Sequence, residues 1–110
     1  MLVPWSAMEH LEDVQAWAAL HGSAPQDPEM LPAVGLVEPG VAAGWLYQTD
    51  AKVGLLEQFV TNPMASAKAR HRAVTHIGLG LITLARSLGL RRVVTMTAQR
   101  SIGRMSIRNG

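Results

Sequence analysis

The stretch that most constrains this chain runs from residue 53 to residue 94. Val53-Gly54-Leu55-Leu56-Glu57-Gln58-Phe59-Val60-Thr61 is an almost continuous apolar run, the pattern of a strand buried on both faces. Asn62-Pro63 ends it, because proline fixes φ and supplies no N–H. A basic segment follows, Lys68-Ala69-Arg70-His71-Arg72, and leads into a helix. The apolar positions of that helix, Val74, Ile77, Leu81, Leu84 and Leu88, recur at three- and four-residue steps. Gly89 is a helix-ending glycine, and residues 91–97 return as a strand. Strand, helix, strand is a βαβ unit, whose crossover makes the two strands parallel. Positive charge stands where strand hands over to helix, a place where such units hold anions, so a phosphate-bearing ligand is the expectation.

The rest of the chain must supply neighbours for that unit. Residues 9–21 read as a helix, with Leu11, Val14, Trp17 and Ala18 on one side and Gly22 as the residue that stops it. Its acids Glu9, Glu12 and Asp13 suit the positive end of the helix dipole. Residues 23–32 hold three prolines and read as a loop, a candidate substrate lid. Residues 34–37 and 41–48 read as strands around a Glu38-Pro39-Gly40 turn. With the strand from Val53 they make an antiparallel meander. A short last helix is expected from Ser101, with Ile102, Met105 and Ile107 inward. The expected fold class is therefore α+β, a mixed and mainly antiparallel sheet with helices on both sides, in a single domain over residues 1–110. Gly78 and Gly80 each cost about 1 kcal/mol inside a helix, which predicts close approach of that helix to the sheet or to a ligand.

Charge is unevenly placed. All eight acidic residues lie between Glu9 and Glu57 with only Lys52 against them, leaving those first 57 residues at −7; the other nine basic residues, Lys68 to Arg108, follow. Two readings stand: the halves neutralise each other in space, or the second half offers a basic face to a phosphate ligand, a nucleic acid or an acidic partner. With no cysteine, disulfides, thiolate metal sites and cysteine nucleophiles are excluded. His71 and His76 are five apart and do not share a helix face as a metal pair would, so no metal is expected. Met1 to Trp5 lacks the pattern of a secretory signal, and no apolar run is long enough to span a bilayer, so a soluble, cytoplasmic protein is the default.

The combination Leu46-Tyr47-Gln48-Thr49-Asp50, then Phe59-Val60-Thr61-Asn62-Pro63, then Arg70, together with Ala85-Arg86-Ser87-Leu88-Gly89 and the strand from Arg91, resembles the GNAT superfamily of N-acetyltransferases. Within it, the chain is similar to small GNAT-like proteins of tailed bacteriophages, which implies a viral protein in the host cytoplasm or the virion. The resemblance implies that acetyl-CoA or another acyl-CoA lies between two parallel strands and is attacked directly by an amine. Its pantetheine arm would pair with Phe59, Val60 and Thr61, and its pyrophosphate would sit at Arg70, His71, Arg72, Ala73 and Val74. Family members hold that pyrophosphate on a glycine-rich turn, R/Q-x-x-G-x-G/A, whereas these five positions contain no glycine. Only side-chain-free backbone approaches a pyrophosphate closely, so here the arginines either contact the phosphates through their forked donors or fill the site. Where the family often carries an acidic tyrosine on its last helix, this chain has Ser106. The family continues with two more strands past the position of Gly110. The resemblance thus implies either a minimal sheet or a chain that goes on, and a minimal sheet would leave an uncovered edge inviting homo-oligomerisation.

Glu57, mid-strand in an apolar run, is the candidate base, where burial would raise its pKa into the range for accepting an amine proton. Its competing reading is a side chain turned to solvent. Trp45 and Tyr47 project to one sheet face. Arg100, Arg104 and Arg108 form a basic stripe along the last helix. Three functions follow: acyl transfer from acetyl-CoA to an amine, a catalytically silent relative that binds an acidic protein partner as a virion component or host-factor inhibitor, and a nucleic-acid module using the terminal stripe.

Overall fold

A computed structural model describes residues 1–24 and 26–95. Its elements are β1 (Val3–Pro4), α1 (Ala7–Leu20), a 3-10 turn (Pro28–Met30), β2 (Gly35–Glu38), β3 (Ala42–Gln48), β4 (Val53–Thr61), α2 (Ala67–Ser87) and β5 (Arg92–Val94). The five strands form one sheet in sequence order; β1 to β4 are antiparallel and β5 is parallel to β4. The fold class is therefore α+β, with a mixed, mostly antiparallel sheet. The expected last helix, Ser106, the Arg100-Arg104-Arg108 stripe and the end of the final strand lie outside the described residues.

Each face of the sheet carries one helix. α2 lays Ala73, Val74, Ile77, Leu81, Ile82 and Ala85 on Ala42, Leu46, Leu56 and Val93. α1 covers the other face with Val14 and Trp17 against Val37, Ala43, Trp45 and Val60. Trp45 and Tyr47 share this second face, and Trp5 meets Trp45 edge-on at 5.0 Å between ring centroids. Both helices end on left-handed glycines, Gly22 (φ 74°) and Gly89 (φ 81°). The cost of glycine within α2 is explained at Gly80, where an added Cβ would stand 2.6 Å from Leu36 Cδ1. No helix among the described residues is long and apolar enough to cross a membrane.

Three departures from the sequence reading matter. β1 forms a strand from an N-terminal segment with no strand pattern of its own, paired Val3 to Val37 and Pro4 to Leu36. Its position at the sheet edge tolerates the missing proline N–H. Second, β4 is not a uniformly buried strand. Trp45 pairs with Gln58 but Tyr47 pairs with Leu55, so three steps along β4 match two along β3. The extra residue makes a β-bulge at Leu56 and Glu57, and Glu57 is exposed. Third, the basic segment does not precede the helix but forms its first two turns. Ser66 caps α2 by accepting the Ala69 N–H (3.1 Å), which starts the helix at Ala67.

At Gly35 an added methyl group would meet backbone as well as side chains. A Cβ there would stand 2.7 Å from Trp45 Cδ1 and 2.8 Å from the Gly44 carbonyl oxygen, with Trp5 Cβ at 3.0 Å. Gly35→Ala is expected to lower stability by about 1–3 kcal/mol in urea unfolding, whereas Gly80→Ala, which meets only the end of the Leu36 side chain, is expected to cost less.

Candidate functional site

β5 follows β4 only as far as the Leu55–Val94 pair; Thr95 Oγ1 then donates to the Leu56 carbonyl at 2.8 Å. Beyond that point no described strand pairs with β4 on this side. The bulge lies just past the last described β4–β5 pair, and among the described residues no strand pairs with this edge of β4 from Gln58 to Thr61. Two cavities flank this free end, and Thr61 lines both.

The cavity on the α2 side, about 310 Å³, is lined by Thr61, Ala67, Arg70, His71 and Val74. Arg70 is half-buried, and its Nε is buried with no hydrogen-bond partner. An unpaired buried donor costs about 1–3 kcal/mol, so this is a group prepared for an acceptor that the described residues do not supply. The other two orphaned polar atoms, Trp45 Nε1 and Thr75 Oγ1, belong to residues that do not line this cavity. At the start of α2, Ser66 Oγ takes the Ala69 N–H and the Ser66 carbonyl takes the Arg70 N–H (3.0 Å). The N–H groups of Ala67 and Lys68 are left for an outside acceptor. Helix dipole and cationic side chains repel one another here, and a bound anion removes that conflict.

The expected phosphate site at Arg70 to Val74 is thereby corrected in part. From Arg70 onward the backbone N–H groups point along α2 as helical donors, so they form no open cradle; the unspent ones lie three residues earlier. Arg70 and His71 do open onto the cavity with Thr61 and Val74. Arg72 does not, because two residues apart on a helix are on different faces. It lines a separate cavity of about 160 Å³ with Glu38, Val41, Ala69, Ala73 and His76. Ala73 and Val74 are core residues of α2, each 4 % exposed. Glu38 there also receives the N-terminal ammonium at 2.6 Å.

On the α1 side a cavity of about 420 Å³ is lined by Ala18, His21, Ser23, Gln26, Gln58, Phe59, Val60 and Thr61. His21 Nε2 lies 2.9 Å from the Thr61 carbonyl oxygen, tying the end of α1 to the end of β4. Tyr47 donates its O–H to Gln58 Oε1 (3.1 Å), and Gln58 Nε2 donates to Gln26 Oε1. Partial burial and the negative charge of Glu57 both push the Tyr47 phenol above its usual pKa. Phe59, Val60 and Thr61 line the α1-side cavity and Thr61 lines the α2-side one as well; the sequence does not single out Ala67, His21, Gln26 or Gln58 for this site. Alanine and glutamine carry no signal by type, and His21 comes into place only through the α1–β4 contact. Glu57, the candidate base, stands on the bulge beside Tyr47 in solvent rather than in the apolar interior. No group of three or more His, Asp or Glu side chains among the described residues is arranged to hold a metal ion.

No protein-family model, curated protein or solved structure matches the chain.

Two predictions come from these environments. Replacing Arg70 by methionine removes the orphaned donor while keeping the apolar stem, and is expected to stabilise the ligand-free protein by about 1 kcal/mol, a rise in Tm of roughly 4–8 °C. Tyr47 is the chain's single tyrosine, so absorbance at 295 nm reports it alone. Its midpoint is expected above pH 10, and Glu57→Gln should lower it. Because the native state holds this proton more tightly than the unfolded chain, the associated stability is present below pH 10 and is lost as pH rises through the native midpoint.

Proposed function

We propose that this chain binds an acyl-CoA along the free end of β4 and passes its acyl group to an amine. The observation that carries the reading is the buried, unpaired Arg70 Nε at the cavity where β4 ends and α2 begins. A guanidinium held this way meets a phosphate through charge-assisted hydrogen bonds, which are about twice as strong as neutral ones. The open N–H groups of Ala67 and Lys68 add donors on the same helix start. Among the described residues no strand pairs with β4 at Gln58 to Thr61, and that edge offers an extended arm of amides a strand to pair with. The GNAT resemblance implies the same use of Phe59, Val60 and Thr61 and of Arg70; Ala67, Lys68 and Gln58 are not among the positions it implies.

In the reaction the amine nitrogen attacks the thioester carbonyl carbon. The new C–N bond forms as the C–S bond breaks; the sulfur leaves with the electron pair as thiolate and ends as the thiol. The proton lost by the amine goes to a base, and Glu57 is the carboxylate on the bulge. Its exposure leaves it open to an arriving ammonium group.

A second reading, binding without catalysis, is favoured by one observation. The first turns of α2 carry arginine and histidine where a phosphate-binding turn carries glycine, so close backbone approach is limited to Ala67 and Lys68. An acidic protein surface would satisfy Arg70 and His71 equally well.

Calorimetric titration with acetyl-CoA decides between them. Micromolar binding is expected, weakened at least about tenfold, or ~1.4 kcal/mol, by Arg70→Ala and unchanged by Arg72→Ala. Thiol release on adding an amine would establish transfer. Failure of millimolar acetyl-CoA to bind the folded protein would sink the transferase reading and leave the binding one.

A further inference from the structure

The two cavities at the end of β4 differ in chemistry, and the difference identifies what the second one takes. Arg70 and His71 border the cavity on the α2 side. The larger cavity on the α1 side is bordered by no lysine, arginine, aspartate or glutamate. It is polar without fixed charge, and its ~420 Å³ falls in the range of small-molecule sites. An anion is better held on the α2 side, and a neutral, hydrogen-bonding group on the α1 side.

Its hydrogen-bond inventory holds unspent donors and acceptors alike. A glutamine amide carries two N–H donors and a carbonyl acceptor. Gln58 accepts from Tyr47 and spends one N–H on Gln26 Oε1. Its second N–H, both N–H groups of Gln26 and the Ser23 hydroxyl have no partner among the described residues. The two amide oxygens and the Ser23 hydroxyl keep acceptor capacity as well, so the lining suits a group that offers both carbonyl oxygens and N–H donors, as an amide does. The donors are also held in place. The Gln15 side chain pairs with both the N–H (2.6 Å) and the carbonyl of Gln26, fixing the loop against α1, so little ordering cost is left for the moment of binding. At the far end of the chain of hydrogen bonds, Tyr47 lies within the field of the Glu57 carboxylate. Glu57 is exposed and has no ion-pair partner among the described residues. A cationic amine entering past Gln58 meets that carboxylate.

Resting on the acyl-transfer reading, we infer that the α1-side cavity receives the amine acceptor, and that this acceptor is peptide-like. Its amide carbonyls would lie on Gln26, Gln58 and Ser23 while its ammonium group is drawn to Glu57. An aliphatic amine without carbonyls leaves the glutamine donors unpaired and is discriminated against for that reason.

The test uses the whole chain, labelled with nitrogen-15, and glycylglycinamide as the probe, with butylamine as an amine lacking carbonyls. Saturable shifts of the Gln26 and Gln58 side-chain amide signals are expected with glycylglycinamide at millimolar concentration and not with butylamine. Gln58→Leu should weaken binding about fivefold, the worth of one ordinary hydrogen bond; if its spectrum shows a disturbed fold, Gln26→Leu takes its place. Equal responses to the two amines, unchanged affinity in the glutamine variants, or no shifts at all would each overturn the inference. Acetyl-CoA titrated into a separate sample reports on the Arg70 cavity, so loss of that binding, with the glutamine signals still responding to the peptide amide, counts against the transferase reading alone.

Discussion

The seating of α2 on the middle of the sheet is the contact on which the remaining geometry depends. Ile77 is fully buried and its methyl group reaches over Gly44, where a Cβ would stand 2.8 Å from it. Leu81, equally buried, follows one turn on. Each such side chain contributes about 1.5–3 kcal/mol on burial. The stripe therefore outweighs the roughly 1–3 kcal/mol spent on a guanidinium N–H with no partner. That balance lets the first turns of the helix carry a chemically unfavourable arrangement without coming loose. Arg70 is held at the end of β4 because residues one, two and three turns further along are locked into the core.

The same rigidity explains how one strand end serves two environments. β4 separates a face roofed by α2 from a face roofed by α1, and it stays paired to β3 on both sides of the bulge. Cationic side chains come from α2. Amide side chains come from β4 itself and from the loop after α1. Because the sources differ, the chemistry on each side of Thr61 is set independently. His21 then closes the arrangement by hydrogen bonding to the Thr61 carbonyl, at the boundary between the two cavities.

Much of this architecture was legible in the sequence because the patterns were strong. The period of the α2 stripe, the glycines after both helices and the turn at Pro39-Gly40 each state a backbone requirement directly. The pairing of β1 was not legible, since Val3 and Pro4 form a strand only because Val37 and Leu36 are there to receive them. The cationic run does not by itself mark the first residue of α2, which is set by the Ser66 hydroxyl accepting the Ala69 N–H. In the candidate site, the strand end Phe59 to Thr61 and the cations of α2 were named from the sequence, whereas the amide side chains were not. Arg70 announces itself by type, but Gln26 and Gln58 matter only through a contact spanning 32 positions. Arg72 shows the converse failure: adjacency in sequence to Arg70 did not mean adjacency in space, because the helix turned it toward Glu38.

The bulge has a consequence for how β4 can vary. Side chains along a strand alternate between faces, yet Leu56 and Val60, four apart, lie in opposite cores. The extra residue at the bulge has inverted the alternation partway along. The strand is thus two reading frames joined at Glu57. Loss of Glu57 itself would remove the two-against-one mismatch and leave a plainly alternating strand, with Gln58 still toward α1 and Phe59 still toward α2. Loss of a residue elsewhere in β4, with the bulge kept, would instead exchange the faces of everything on one side of it.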